Sequence, residues 1–375
     1  MSPTTFREMN LAVFRGEPVP HPLFQPRFEP WYEWHRIFNE LPEPYWRLSL
    51  RGLYADLGVS MRYMHYYTGM PDPVVHEYAP EVQVRERTQG EELVRIIETP
   101  LGELEMGLHR TQDETWRTVR FAVRRPEDLR KLRWLYDHTT FSFSAEAFAR
   151  GDAFIGDLGE PQFWVPKSPY QALAQIWMKL PDLIYALADC PDEVEATMAA
   201  IDAAYDRLYE GLTGSGCVRI LNLGENLHQA LFNPRYFERY LIPWYEKRCG
   251  QLRRAGIYTH VHLDGYFHSL LPYLKHLPFD GYEALTPKPQ GDVELEEIKE
   301  HIGDKVLLDG IPAVLFLPSY SREEPMACAE RVVRLFHPRL VLGVSDEVPE
   351  GAGVEAIERV RMVSEWCRRQ GATVT

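Results

Sequence analysis

Cysteine is scarce in this chain. Cys190, Cys217, Cys249, Cys328 and Cys367 are the only five in 375 residues, and no two lie close in sequence. No CxxC occurs, which argues against a cysteine-rich zinc module and against a disulfide framework. Lysine is scarce too: 8 residues stand against 33 arginines, and the net charge is −14. An acidic chain is a poor ligand for nucleic acid or an anionic membrane surface, both of which are polyanions. No apolar run approaches the ~20 residues that span a bilayer. The opening MSPTTFREMNLAVF lacks the basic-then-apolar pattern of a secretory signal. Neither GxGxxG nor GxxxxGK[ST] follows any strand-like run, so dinucleotide-binding and P-loop folds lose support. The expectation is a cytoplasmic protein with reduced thiols and no nucleic-acid or membrane partner.

What is present is a change of pattern along the chain. The first 80 residues are rich in aromatics and proline, as in HPLFQPRFEPWYEWHRIF, which breaks any long helix. Residues 82–123 alternate polar and apolar positions between QG, LG and QDE, the pattern of a small antiparallel β meander. From about residue 150 strand-like and helix-like runs alternate. AFIGDLG, CVRILNLGE, IYTHVHLDG, FDGYEAL, DKVLLDGI and RLVLGVSDE read as strands. PDEVEATMAAIDAAYDRLYEGL, EEPMACAERVVRLF and GVEAIERVRMVSEWCRR read as helices. Short strands separated by helices imply parallel pairing with right-handed crossovers. The expected fold is α/β: a single (β/α)8 TIM barrel over 1–375, with the meander of 82–123 inserted into it.

In such a barrel the active site lies at the C-terminal ends of the strands, and the polar residues collect there. Glu225 and His228 follow one strand; His260, His262 and Asp264 end the next. Glu283, Asp309 and Ser345-Asp346-Glu347 close three more. Residues i and i+2 of a strand share a face, so His260 and His262 are placed to meet one metal ion. Two histidines with one carboxylate make a workable Zn²⁺ shell, with Glu225, Asp264 or Glu283 as the third ligand. One histidine can instead be a hydrogen-bonded structural residue while the other contacts substrate without metal. Glu283 opens the stiff turn EALTPKPQGD, which fixes its direction. Glu225, Glu283 and His260 are the expected catalytic groups.

Several segments then resemble a known family. LAVFRGEPVPHPLFQPR, SPYQALAQIWMKLPDLIYALADCPDEVEATM, HVHLDG, YEALTP, DGIP and GVSDEVPEGAGVEAIERV are similar to the uroporphyrinogen decarboxylase superfamily, over about residues 9–372. That superfamily also contains corrinoid-dependent methyltransferases. The resemblance implies one (β/α)8 barrel with a funnel at the strand C-termini.

The branches differ at single positions. Where the decarboxylases carry Arg-Gln-Ala-Gly-Arg, this chain has Pro26-Arg27-Phe28-Glu29-Pro30 and keeps only Arg27. Where they carry Phe-Ser-Asp, it reads Gly58-Val59-Ser60-Met61-Arg62 and offers Arg62 for the aspartate. Gly343-Val344-Ser345 stands at their Gly-His-Gly. The zinc methyltransferases use His-x-Cys and a later Cys; here His260 keeps the first position, His262 replaces a cysteine and Ser345 stands at the second. The implied activity is methyl transfer between a small substrate and a corrinoid held by a partner protein, with a nitrogen and oxygen Zn²⁺ site or no metal. The alternative is a decarboxylase of a polycarboxylate in porphyrin biosynthesis, bound by Arg27 and Arg62. Arg27, Arg62, His228, Asp264, Asp309 and Ser345 are the expected substrate contacts. Asp309 and Ser345 are expected on the rim of the cavity, and Trp164, Tyr266 and Tyr282 near a cationic donor.

Overall fold

The computed structural model describes residues 5–43, 45–112, 114–231 and 233–371. Twelve strands are formed among them: β1 Leu23–Phe24, β2 Val74–Tyr78, β3 Gln83–Gln89, β4 Glu92–Thr99, β5 Gly102–Arg110, β6 Trp116–Arg120, β7 Thr139–Phe143, β8 Ile220–Leu227, β9 Tyr258–Leu263, β10 Gly281–Glu283, β11 Val306–Pro312 and β12 Leu340–Ser345. The chain divides into two compact units.

The first unit comprises the residues up to Pro73, Ala145–Val165 and the residues from Gly216 onward. Its centre is a six-stranded parallel sheet in the order β1-β12-β11-β10-β9-β8. Every residue of β11 and β12 is buried, as expected for strands covered on both faces. The helix Glu323–Phe336 shows why the covering works. It buries Pro325, Ala329, Val332 and Phe336 at helical spacing, with acids in its first turn and Arg334 in its last. It packs on β11 and β12. Toward the N-terminal ends of the strands the core is apolar, built from Met9, Val13, Phe14, Leu23, Ile220, Val306, Leu308 and Val341.

Two extended segments carry hydrogen bonds between the edge strands. Ser60 N–H donates to Phe24 O at 3.0 Å, and Gln162 N–H to Arg62 O at 3.0 Å. Asn222 N–H donates to Phe163 O at 3.1 Å, with parallel bridges at Tyr63–Gln162 and Trp164–Asn222. The α/β class and the parallel sheet agree with the sequence expectation, while AFIGDLG is not a strand. It lies in the helix Ala145–Ile155 and the 3-10 turn Gly156–Leu158. Ala147, Phe148, Gly151 and Ile155 are the buried positions, the period of a helix that begins eight residues before the run quoted.

The second unit, Val74–Ser144 and Pro166–Ser215, pairs β2 with β7 and stacks β3-β4-β5-β6 as an antiparallel meander. The helix Pro126–Asp137 packs on β4 and β5, where Leu93, Ile97, Leu104 and Met106 are buried. The long helix expected after Pro191 is two helices, Pro191–Ala204 and Asp206–Ser215. Tyr205 between them is buried edge-on against Phe141 at 5.0 Å. All five cysteines are free thiols. Among the described residues no helix is long and apolar enough to cross a membrane.

Candidate functional site

Glu283 ends β10 with a side chain 1% exposed, and five side chains converge on it. Arg62 Nη1 donates to Oε1 at 2.6 Å and Arg27 Nη1 at 3.3 Å. Tyr63 OH lies 2.7 Å from both oxygens, Asn222 Nδ2 donates to Oε2 at 2.8 Å, and His262 Nδ1 lies 3.3 Å from Oε2. Burial alone pushes this carboxyl up; Arg62, the His262 hydrogen bond and Arg27 outweigh it and hold it well below the usual carboxylate range. Glu283 is therefore a fixed anion with its lone pairs taken. It orients its neighbours and has no proton to give.

Beneath it, Arg62 is fully buried and forked between Glu283 and Asp309, with Nη2 to Asp309 Oδ1 at 2.7 Å. Its Nε donates to Gln25 Oε1 at 2.8 Å. Asp309 has φ +85°, a left-handed conformation that aspartate tolerates better than most residues. The backbone turn lets Oδ2 accept from Ala284 N–H at 3.2 Å. A side chain at Gly343 would collide with Asp309 Oδ1, so this glycine is what leaves room for the carboxylate. Burial pushes the Asp309 carboxyl up to about 6, with Arg62 pulling against it.

His260 belongs to this floor. It is fully buried, with Nε2 2.8 Å from Gln162 Oε1 and Nδ1 3.9 Å from Glu283 Oε2. Burial pushes its pKa down to about 3, so it is neutral. His262, two residues on, turns the same way toward Glu283 but reaches the mouth. Its Nε2 lies 3.7 Å from Asp264 Oδ2 and 3.8 Å from Asp346 Oδ2. Burial works against its charge, but Asp346, Asp264 and Glu283 outweigh that and raise its pKa well above the ordinary histidine value.

Arg27 ties floor to mouth: besides Glu283, it reaches Asp346 Oδ1 at 2.7 Å and Glu347 Oε2 at 2.8 Å. Its guanidinium lies over the Tyr63 and Tyr66 rings at 5.2 and 5.3 Å, and Trp164 meets both rings edge-on. Tyr66 OH also approaches Glu347 Oε2 at 3.2 Å. Beside Asp264 opens a groove of about 620 Å³ lined by Asn226, His228, Gln229, Ala230, Gly265 and Tyr266.

The structure thus brings together Arg27, Arg62, His260, His262, Asp264, Glu283 and Asp309, and sets His228 in the adjoining groove. Other placements differ from expectation. Glu225 accepts a hydrogen bond from Tyr245 OH at 2.6 Å, a residue of the helix Ile242–Arg254 that packs on β9. Three positions along β8 from Asn222, its carboxylate turns to the helix layer. Asp309 and Ser345 are not on a rim: both are fully buried. Asp309 sits in mid-strand because β11 runs on to Pro312, and Ser345 Oγ accepts from Gly310 N–H at 2.8 Å. Tyr282 is core, its hydroxyl donating to Leu274 O. Tyr63, Asn222, Gln25 and Gln162 were not anticipated. Their one signal is a polar side chain inside an otherwise apolar run, as in RILNLG and PQFWV. A thiolate zinc of the His-x-Cys type does not fit. Ser345 is bonded to backbone, His260 to Gln162, and Cys328, the cysteine on the helix over β11, has Sγ 3.9 Å from Gly310 O.

No family model matches the sequence, and no curated protein does. Among solved structures, a methyltransferase from Methanosarcina mazei aligns over 97% of this chain and 99% of its own, with a TM-score of 0.59 and 12% identity. The chain shares that protein's fold. A B12-independent methionine synthase from a Shewanella species aligns over 89% of this chain and 92% of its own, at a TM-score of 0.49 and 11% identity. At 12% identity the likeness to the Methanosarcina protein is one of fold alone.

Proposed function

We propose that the chain is an enzyme of the uroporphyrinogen decarboxylase superfamily. In this reading it is a cytoplasmic methyltransferase that moves a methyl group between a small substrate and a corrinoid on a partner protein. The barrel is read as one eight-staved domain: segments 60–63 and 162–165 supply the two staves between β1 and β8, and the meander is an insertion. One observation carries the choice of branch. A polycarboxylate substrate needs free cationic donors, but Arg62 is consumed by Glu283 and Asp309, and Arg27 by Glu283, Asp346 and Glu347. Porphyrinogen decarboxylation loses its binding groups.

Methyl transfer asks for something else: positive charge at the heteroatom that departs from the methyl group. His262 Nε2 is where this chain can present it, as a proton or through a metal ion, while Glu283 fixes the ring. Tyr63, Tyr66 and Trp164 pack around Arg27, which binds the same Asp346, and the groove beside Asp264 offers room for the rest of a donor. The test is methylation of cob(I)alamin, followed by its absorbance, with methyl ethers, methylamines and betaine as donors. Uroporphyrinogen III is run anaerobically as the control. Methylation by one donor class with no porphyrinogen turnover is expected; porphyrinogen turnover defeats the reading.

A further inference from the structure

We infer that His262, Asp264 and Asp346 form a divalent-cation site of nitrogen and oxygen ligands at the mouth, which uses His262 without His260 and needs no thiolate. The inference deepens the methyl-transfer reading and rests on it for its role, since such an ion would be the Lewis acid at the departing heteroatom. Its existence is tested without that reading.

The geometry comes first. One ligand atom from each of the three residues lies within 4.8 Å of the other two, and the two contacts made by His262 Nε2 are 3.7 and 3.8 Å. Ligands at roughly 2.1 Å from a tetrahedral ion are about 3.4 Å apart, so each of the two histidine–aspartate contacts closes on an ion with a shift of a few tenths of an ångström. Each ligand is also held from behind. His262 Nδ1 faces the Glu283 carboxylate at 3.3 Å, the outer-shell partner that metal-bound imidazoles ordinarily have. That contact holds Nδ1 and turns Nε2 toward Asp264 and Asp346, where an ion would take the place of a proton. Asp346 gives its other oxygen to Arg27 at 2.7 Å. Asp264 N–H is anchored on Leu227 O at 3.2 Å.

Charge points the same way. Over the whole site five acids, Asp264, Asp346, Glu347, Glu283 and Asp309, face three cationic side chains, Arg27, Arg62 and His262, with Arg27 and His262 shared between mouth and floor. The acids are in excess, and a dication is the complement. His260 is excluded from the set because its Nε2 is held by Gln162 and it sits on the buried floor. The three ligands are part-exposed beside the groove, which leaves coordination positions open to a substrate. One imidazole and two carboxylates select Zn²⁺ or Mn²⁺ over thiophilic ions.

The test is calorimetric titration of chelator-treated full-length protein with Zn²⁺ and Mn²⁺, and the absorption spectrum of the Co²⁺ form, all without methyl donor. One ion per chain is expected, with a Co²⁺ spectrum free of sulfur charge-transfer bands. Asp264→Asn and Asp346→Asn should each weaken binding at least tenfold, and Glu283→Gln about 10- to 100-fold. His260→Ala should bind within about threefold of the parent. Circular dichroism checks that each variant is folded. No saturable binding of either ion overturns the inference. So does binding that survives both aspartate substitutions, or that disappears in a folded His260→Ala protein. If an ion binds as expected but no donor methylates cob(I)alamin, the site stands and the methyl-transfer reading falls.

Discussion

The floor and the mouth of the site are built from the same residue types and behave in opposite ways. On the floor, Arg62, Glu283, Asp309, Tyr63 and Asn222 are sealed from water and joined by hydrogen bonds of 2.6 to 3.2 Å. At the mouth, Asp264, Asp346 and Glu347 stand partly in solvent, and the contacts of His262 with the two aspartates are 3.7 and 3.8 Å. A saturated, buried ion network has no spare lone pair and works as scaffold. A loose, half-wet set of the same groups has lone pairs to offer. The chemistry belongs at the mouth, and the floor is what aims it.

The floor is where substitution should cost most. Arg62→Met leaves Glu283 and Asp309 buried without their shared cation, and breaking a buried pair by removing one partner costs ~3–5 kcal/mol. Urea denaturation should show a loss of that size. A loss below about 1 kcal/mol would mean that water reaches the floor and that the contrast with the mouth is false. Glu283→Gln keeps the shape but removes the charge that answers Arg62 and Arg27. It should cost about 2–3 kcal/mol and also abolish methyl transfer, because His262 loses the group that orients it.

The mouth is distinguished by pH. Burial, against Arg27, pushes the Glu347 carboxyl up to about 7, above its value of ~4.3 in an unfolded chain. Between those values the folded protein holds a proton that the unfolded chain has released, so this group's contribution to stability falls as pH rises from about 4.3 to 7. Its side chain is 22% exposed, so screening keeps the effect to about 1–2 kcal/mol. Glu347→Gln removes that slope, and its stability relative to the parent should rise across this window. Urea midpoints at pH 5 and pH 8 measure it; parallel curves for the two proteins would show that Glu347 is as freely solvated as a surface acid.

The same contrast marks what could be read from sequence. Alternating strand-like and helix-like runs make the parallel sheet legible, because local periodicity reports local structure. The i, i+2 spacing of His260 and His262 puts both residues on one face of β9, where each ring has a nitrogen within 4 Å of Glu283, although only His262 reaches the mouth. The pairing on the floor was not legible, because its central cation and anions lie more than 200 positions apart: Arg62 meets Glu283 and Asp309 only once the sheet is formed. Segments 60–63 and 162–165, which carry isolated bridges and backbone hydrogen bonds, did not stand out because each is too short to show a period, and AFIGDLG read as a strand because it was cut from its helix. Glu225 was placed by counting from a strand end, a rule that fails where the register between β8 and β9 shifts between Asn222 and Asn226.

That last misplacement gives the smallest expected effect and the sharpest control. Glu225 lies on the strand that supplies Asn222 to the floor, yet its carboxylate accepts a hydrogen bond from Tyr245 of the helix layer at 2.6 Å. Glu225→Gln keeps an acceptor at that place and exchanges a charge-assisted hydrogen bond for a neutral one, a difference of about 1 kcal/mol in stability. Nothing in that contact touches His262, Asp264 or Asp346, so methyl transfer and ion binding should stay within about twofold of the parent. Denaturation and the cob(I)alamin assay on the same preparation test both halves. A large fall in activity with stability kept would put Glu225 back among the reacting groups, and would mean that the division between floor, mouth and helix layer has been drawn in the wrong place.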